Sequence, residues 1–160
     1  MGTELLLGHT VNTDAAHVSR ALSALGLDLL QVHTVGDNGG RLESALREAL
    51  GRAQIIITTG GLGPTDDDMT KETVAQVTGC PLEEDADSLR RLRDYFGDRP
   101  ISANQLKQAY LPRGSVVFPN DAGTAPGCAV PAACGQWVIL LPGPPSELLP
   151  MLENSAVPFL

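Results

Sequence analysis

Three adjacent carboxylates, Asp66, Asp67 and Asp68, directly follow the stretch Gly60-Gly61-Leu62-Gly63-Pro64-Thr65. Glycines let a backbone come close to an anion, and the amides of such a loop and of the helix after it can cradle phosphate. The stretch is neither a Walker loop, which ends in Gly-Lys-Ser/Thr, nor a GxGxxG fingerprint. Alone it reads equally well as a phosphate cradle or as a tight structural turn. The carboxylates shift that balance. One acidic residue ahead of a helix starting near Thr70 is explained by capping and by the helix dipole, at ~0.3–1 kcal/mol. Three in a row repel one another, and only one can serve as the cap. A divalent cation offsets the repulsion, because Mg²⁺ is commonly held by one or two carboxylates plus substrate phosphates. Anion loop and metal-capable carboxylates together point to diphosphate chemistry, with a solvated acidic cap as the alternative.

Other reactive side chains carry weaker patterns. His9, His17 and His33 lack metal-ligand spacing. Ser146 lies in Pro-Pro-Ser-Glu rather than in a GxSxG elbow, which favours a role at a helix N-terminus over nucleophilic catalysis. Arg90, Arg91 and Arg93 read as a solvated helix face. Cys80, Cys128 and Cys134 are an odd number at irregular spacing, consistent with reduced thiols in a cytoplasmic protein.

The elements that must position these residues follow from pattern and composition. The 160 residues carry 11 Lys+Arg against 19 Asp+Glu, a net charge of −8. That balance argues against a general nucleic-acid binder, which needs clustered cations, and no apolar run reaches the ~18 residues of a membrane span. Length and 42% hydrophobic content predict one globular domain over residues 1–160. Val18, Ala21, Leu22 and Leu25 recur at helical spacing and stop at Gly26. Asp28 to Val35 reads as a strand, broken by Gly36-Asp37-Asn38-Gly39-Gly40. Leu42, Ala45, Leu46, Ala49 and Leu50 make the clearest amphipathic stripe. Gln54 to Thr59 reads as a strand buried on both faces. Strand, helix and strand in about thirty residues form a βαβ unit. Thr70 to Thr78 reads as a helix, residues 83–110 as two helical pieces broken at 97–100. Short strands are expected near Val116–Val117 and Cys128–Val130, with Cys128 and Cys134 flanking a hairpin. Gln136 to Leu141 is a second buried strand, and Pro142-Gly143-Pro144-Pro145 leads into a helix carrying Leu148, Leu149 and Leu152. The predicted fold is a three-layer α/β/α domain with a mostly parallel sheet. Ligands of such sheets bind outside the carboxyl ends of the strands, where two of the Gly/Pro blocks fall.

Several blocks together carry a family resemblance. They are Gly2-Thr3-Glu4-Leu5-Leu6-Leu7-Gly8, Val11-Asn12-Thr13, Val35-Gly36-Asp37-Asn38 and Thr58 to Thr65. Further along come Asp67-Asp68-Met69-Thr70-Lys71-Glu72-Thr73, Gly123-Thr124-Ala125-Pro126-Gly127 and Leu140 to Glu147. In this order they resemble the N-terminal domain of the competence/damage-inducible CinA family, whose fold is similar to molybdopterin-binding domains. The resemblance covers nearly the whole chain. It departs in two places: Met1 directly precedes Gly2, where the family has an apolar first strand, and position 14 is Asp where Asn is expected.

The resemblance implies metal-dependent hydrolysis of ADP-ribose to AMP and ribose 5-phosphate. The implied cofactor is a divalent cation (Mg²⁺, Co²⁺ or Mn²⁺). Many full-length relatives add a C-terminal nicotinamide-mononucleotide deamidase domain. Asp67 and Asp68 become the metal ligands. Asp68, Glu4 and Glu147 are the catalytic candidates, with Glu4 or Glu147 completing the metal shell or acting as general base. The substrate-binding set is Asn12, Asp37, Gly60, Gly61, Gly63, Thr65, Gly143, Ser146 and Lys107. For Asn12, capping of the helix at Asp14 stands equal to ligand contact; for Lys107, a surface position does. The alternative function is a module that binds a pterin phosphate or nucleotide without turning it over. Because related domains self-associate, a homodimer is expected through Ile101, Leu106, Tyr110 and Leu111.

Overall fold

Five apolar residues in a row, Trp137 to Leu141, need cover on both faces, and the chain is organised around that need. In the computed structural model, which describes residues 1–160, they form β6 (Trp137–Leu141). It pairs in parallel with β1 (Ile55–Thr59), Ile55 opposite Trp137 and Thr59 opposite Leu141. On its other side β6 pairs antiparallel with β5 (Gly127–Pro131), joined by a tight turn at residues 132–136. β4 (Val116–Phe118) adds antiparallel to β5 and closes the order β1-β6-β5-β4. The pattern predicts Asp28–Val35 as the parallel partner of Gln54–Thr59; the parallel pairing is instead made by β1 and β6, and the other two pairings of the sheet are antiparallel.

Alternation along β6 divides the core into two layers. Ile139 and Leu141 face Val18 and Leu22 of α2 (Thr13–Ala24), and Leu148 and Met151 of α7 (Pro145–Met151). Val138 and Leu140 face Leu42 and Leu46 of α3 (Gly39–Leu50), and Val74 of α4 (Thr70–Thr78). The predicted three layers are therefore present. Local chemistry sets the helix ends. The Asn12 side chain accepts from the Ala15 amide at 3.1 Å and the Asn38 side chain from the Arg41 amide at 3.0 Å. Gly79, at φ 73°, ends α4 in the left-handed conformation.

Three expectations need correction. First, residues 83–110 do not begin as a helix. Leu82–Glu84 form β2, paired antiparallel with β3 (Tyr110–Pro112). Asp85 then caps α5 (Ala86–Phe96), accepting from the Ser88 amide at 2.8 Å. α6 (Ala103–Leu106) follows, opened by a Ser102/Gln105 capping box. Second, Asp28 to Val35 is extended but has no ladder partner. It borders an apolar groove of about 610 Å³ whose opposite wall is β1. At one end the N-terminal residues bridge that groove: the Met1 ammonium donates to the Thr59 carbonyl at 2.6 Å, and the Gly2 amide to that of Val35 at 3.1 Å. Gly2 leads into the short helix α1 (Thr3–Leu6). Third, the apolar set proposed for self-association is not one surface, because Leu111 is buried in the α3/α4 layer.

The three cysteines are unpaired, and burial pushes the Cys128 thiol up to about 12. No helix is long and apolar enough to cross a membrane. The contrast between β6 and the 28–35 segment is measurable. Leu140→Ala, at a fully buried position, should cost about 2–5 kcal/mol in denaturant unfolding. Leu30→Ala, at 71% exposure, should stay within about 0.5 kcal/mol of wild type.

Candidate functional site

β1 and β6 end level with one another, so the loops that leave them run side by side. The Gly60 amide donates to the Leu141 carbonyl at 3.0 Å, which extends the ladder by one residue. A Cβ on Gly143 would stand 3.3 Å from the Gly60 Cα. Gly60 and Gly61 both have left-handed φ, 87° and 70°. The turn is tied to the start of α4: Thr70 donates from its amide to Gly61 O at 3.1 Å and from its hydroxyl to Gly60 O at 2.9 Å. A Cβ on Gly61 would run into that hydroxyl. Gly61 is therefore demanded by the turn itself, whatever the loop binds.

The acidic triplet is divided among different tasks. The Asp68 Oδ2 accepts from the Thr65 amide at 3.0 Å and from the Thr65 hydroxyl at 2.5 Å. Gly63 lies so close to this carboxylate that a Cβ there would collide with it. Asp66 accepts a long bond from the Asn104 side chain at 3.5 Å. Asp67 is exposed and borders the cavity. None of the three caps α4, since Met69 occupies the cap position without a side-chain bond. The capping explanation for this cluster does not hold.

A cavity of about 700 Å³ opens above the strand ends. It brings together Glu4, Asn12, Asp37, Gly60, Gly61, Gly63, Asp67, Asp68, Gly143 and Glu147 from the sequence-derived set. Thr65 and Lys107 line instead a neighbouring cavity of about 450 Å³ on the other flank of the loop. Ser146 is exposed and lines neither. Glu147, in the first turn of α7, accepts from the Asn120 amide at 2.6 Å, and the same nitrogen donates to Ala125 O at 2.9 Å. Asp37 is tied to α1: it accepts from the Thr3 amide at 2.9 Å, and its own amide donates to the Thr3 hydroxyl at 3.1 Å. Asn12 spends its oxygen on capping α2 while its side chain borders the cavity, so both of its readings describe part of its position.

Asn120, Lys71 and Gln108 escaped the sequence reading of the site, whereas Asp14, marked there as a departure from the family pattern, does border the cavity. Asn120 orients Glu147, and its only sequence mark is an ordinary Pro-Asn-Asp turn. Asp14 lines the main cavity, where burial raises its carboxyl above the usual range. Lys71 is buried, donates to the Lys107 carbonyl at 2.5 Å, and has its ammonium pKa lowered by that burial. Its signal was legible, because it precedes Val74 and Ala75 by three and four residues on the buried face of α4. Gln108 is buried on the main cavity wall. No three His, Cys, Asp or Glu side chains stand close enough to hold a metal by themselves.

The family model described as "Probable molybdopterin binding domain" matches residues 1–160. A "CinA-like protein" of Desulfovibrio desulfuricans is 82% identical over the whole chain. A crystal structure of the protein CinA, of unknown function, from Thermoplasma acidophilum superposes with a TM-score of 0.91 at 35% identity, covering 99% of this chain and 94% of that one. The chain belongs to the CinA family, within the molybdopterin-binding-type domains. The molybdopterin biosynthesis enzyme MoaB of Thermus thermophilus shares the fold at a TM-score of 0.64 and 20% identity, covering 99% of this chain and 86% of that one. The chain spans 38% of the length of the Desulfovibrio relative.

In this CinA-type domain the steric part of the Gly61 requirement can be separated from its φ. Gly79 has nearly the same φ but open space around it. Gly79→Ala should therefore cost only the left-handed penalty, about 1–2 kcal/mol. Gly61→Ala adds the collision with Thr70 and should melt measurably lower than Gly79→Ala. Equal melting temperatures would show that the loop yields freely at Thr70.

Proposed function

We propose that the domain hydrolyses a nucleotide diphosphate, ADP-ribose in the first instance, to AMP and ribose 5-phosphate. The observation that carries this reading is the convergence of a glycine-rich anion loop with Asp67, Asp68 and Glu147 on one cavity at the ends of β1 and β6. Backbone amides of Gly61 to Gly63 suit the diphosphate, since their approach is unobstructed by side chains at the glycines. Glu147 is fixed by Asn120 at 2.6 Å and suits the role of general base. In the proposed step a water oxygen attacks one phosphorus and its proton passes to the Glu147 carboxylate. The bridging P–O bond breaks, and the electron pair leaves on the departing phosphate. Asn12 and Asp37 lie where they can bind sugar hydroxyls.

Asp67, the Asp68 oxygen not used by Thr65, and phosphate oxygens of the substrate would hold a divalent cation, which neutralises charge on the diphosphate. The chain's own ligands are too few for a cage, so the residues fit a cation that arrives with the substrate. That same shortage favours a second reading, a module that binds a nucleotide or pterin phosphate without turnover.

Glu147→Gln separates the two. Hydrolysis with Glu147 as base predicts a fall in kcat of about 10²–10⁴-fold with KM little changed. An undiminished rate in this variant would remove Glu147 from the chemistry. Excess EDTA should abolish turnover, and Mg²⁺ should bind measurably only when a diphosphate is present. Tight binding of ADP-ribose with no product at any cation concentration would leave the binding module as the function.

A further inference from the structure

We propose that Gln108, with Tyr95 lining the same cavity, recognises the edge of a nitrogen heterocycle carried by the ligand, a purine or a pterin. The inference rests on the reading that the 700 Å³ cavity takes a phosphate-bearing ligand. Gln108 lies in a single helical turn, Lys107–Ala109, between α6 and β3. It is only 3% exposed, it lines that cavity, and its Oε1 makes no hydrogen bond. Of the buried side-chain polar atoms, it alone lacks a partner.

The backbone on either side is fully engaged. Lys71 reaches across from α4 to the Lys107 carbonyl at 2.5 Å, and the Asp85 amide donates to Ala109 O at 2.8 Å. The turn is therefore held in place while the oxygen of the carboxamide it carries is left unsatisfied. Burying such a group costs stability that an apolar side chain of the same size would not cost. An unpaired buried amide on a cavity wall is best explained by a partner that enters the cavity.

The chemistry of a carboxamide narrows that partner. It presents an N–H donor and a C=O acceptor side by side. Its complement is a ring edge with an N–H next to an acceptor, as in the N6/N7 edge of adenine or the lactam edge of a pterin. Phosphate and ribose hydroxyls do not present that pair in a plane. Tyr95 supplies the second element. It stands near the end of α5, which packs against the Gln108 turn, is 57% exposed, and lines the same cavity. An exposed aromatic ring is a stacking surface for a planar base.

The test is calorimetric titration of the domain with AMP, with neopterin, and with ribose 5-phosphate, which has no base. Variants are Gln108→Met, Gln108→Glu and Tyr95→Leu, each checked by thermal melt. Gln108→Met should lose about tenfold or more in affinity for the base-bearing probe that wild type binds. Ribose 5-phosphate affinity should stay within about twofold, and the melting temperature should be equal or higher. Gln108→Glu, which loses the donor and adds a buried charge to an already acidic wall, should lose at least as much, and Tyr95→Leu should weaken the same probe selectively. Whether AMP or neopterin is the sensitive probe decides between purine and pterin. Equal loss for ribose 5-phosphate, unchanged affinity for both base-bearing probes, or no binding of either to wild type would overturn the assignment. ADP-ribose turnover is assayed separately. Absent turnover with Gln108-dependent base binding would sink the hydrolase reading and leave this one standing.

Discussion

The parallel pairing of β1 with β6 decides where chemistry is possible in this domain. Its register puts Thr59 beside Leu141, so both strands stop at one level, and the Gly60 amide closes on the Leu141 carbonyl. Two loops leave from that line at contact distance, which Gly143 permits by having no side chain against Gly60. The register is protected by the core. A slip of one residue in β6 would turn Val138 and Leu140 toward α2 and α7, and Ile139 and Leu141 toward α3 and α4, exchanging every buried contact at once. The level ends are thus a by-product of packing, and the loops inherit their relative placement from it.

The anionic ligand proposed for this acidic chain poses an electrostatic problem. The net charge is −8, and the main cavity is bordered by Glu4, Asp14, Asp37, Asp67, Asp68 and Glu147. The cations that come closest are directed elsewhere. Lys71 gives its ammonium to a backbone carbonyl, and Lys107 lies on the far flank of the loop. The Met1 ammonium binds the Thr59 carbonyl, and burial lowers its pKa. What remains to meet a phosphate is the backbone itself, through the loop amides. Amide dipoles bear only partial charge, so a cation brought in with the ligand answers a need that this wall of carboxylates creates.

How much of this was legible in the sequence depends on whether a residue acts through its neighbours in the chain. The Ile55–Thr59 and Gln136–Leu141 strands, the Leu42/Leu46 stripe and the Pro-led start of α7 are local patterns, and the structure realises them. The Gly60–Thr65 loop was legible as a block, although its glycines serve Thr70 and Asp68 as much as any ligand. Asp28 to Val35 has the composition of a strand, but strands are made by partners, and it has none. β2 was hidden because a three-residue pairing of Glu83 with Leu111 and Glu84 with Tyr110 leaves no periodicity. Asn120 and Gln108 reach the site across 27 residues to Glu147 in one case and through a buried turn in the other. No spacing rule connects such residues.

The acidic triplet shows why counting charges misleads when their geometry is unknown. Adjacent carboxylates suggested a shared ligand, yet in the fold they point to three different ends. Asp68 is a strut: two hydrogen bonds from Thr65 to one oxygen hold the loop closed against α4. Its second oxygen is what it can still offer. Asp67 is the carboxylate left to solvent and cavity together. Because Asp68 shapes the loop with one oxygen and borders the cavity as well, loop shape and any charge held beside it are coupled through a single side chain. A ligand that drew Asp68 fully to itself would release Thr65 and loosen the turn proposed to cradle its phosphates. The arrangement therefore favours a ligand that uses Asp68 through its free oxygen alone and leaves the larger share of any cation's coordination to Asp67 and to the phosphates.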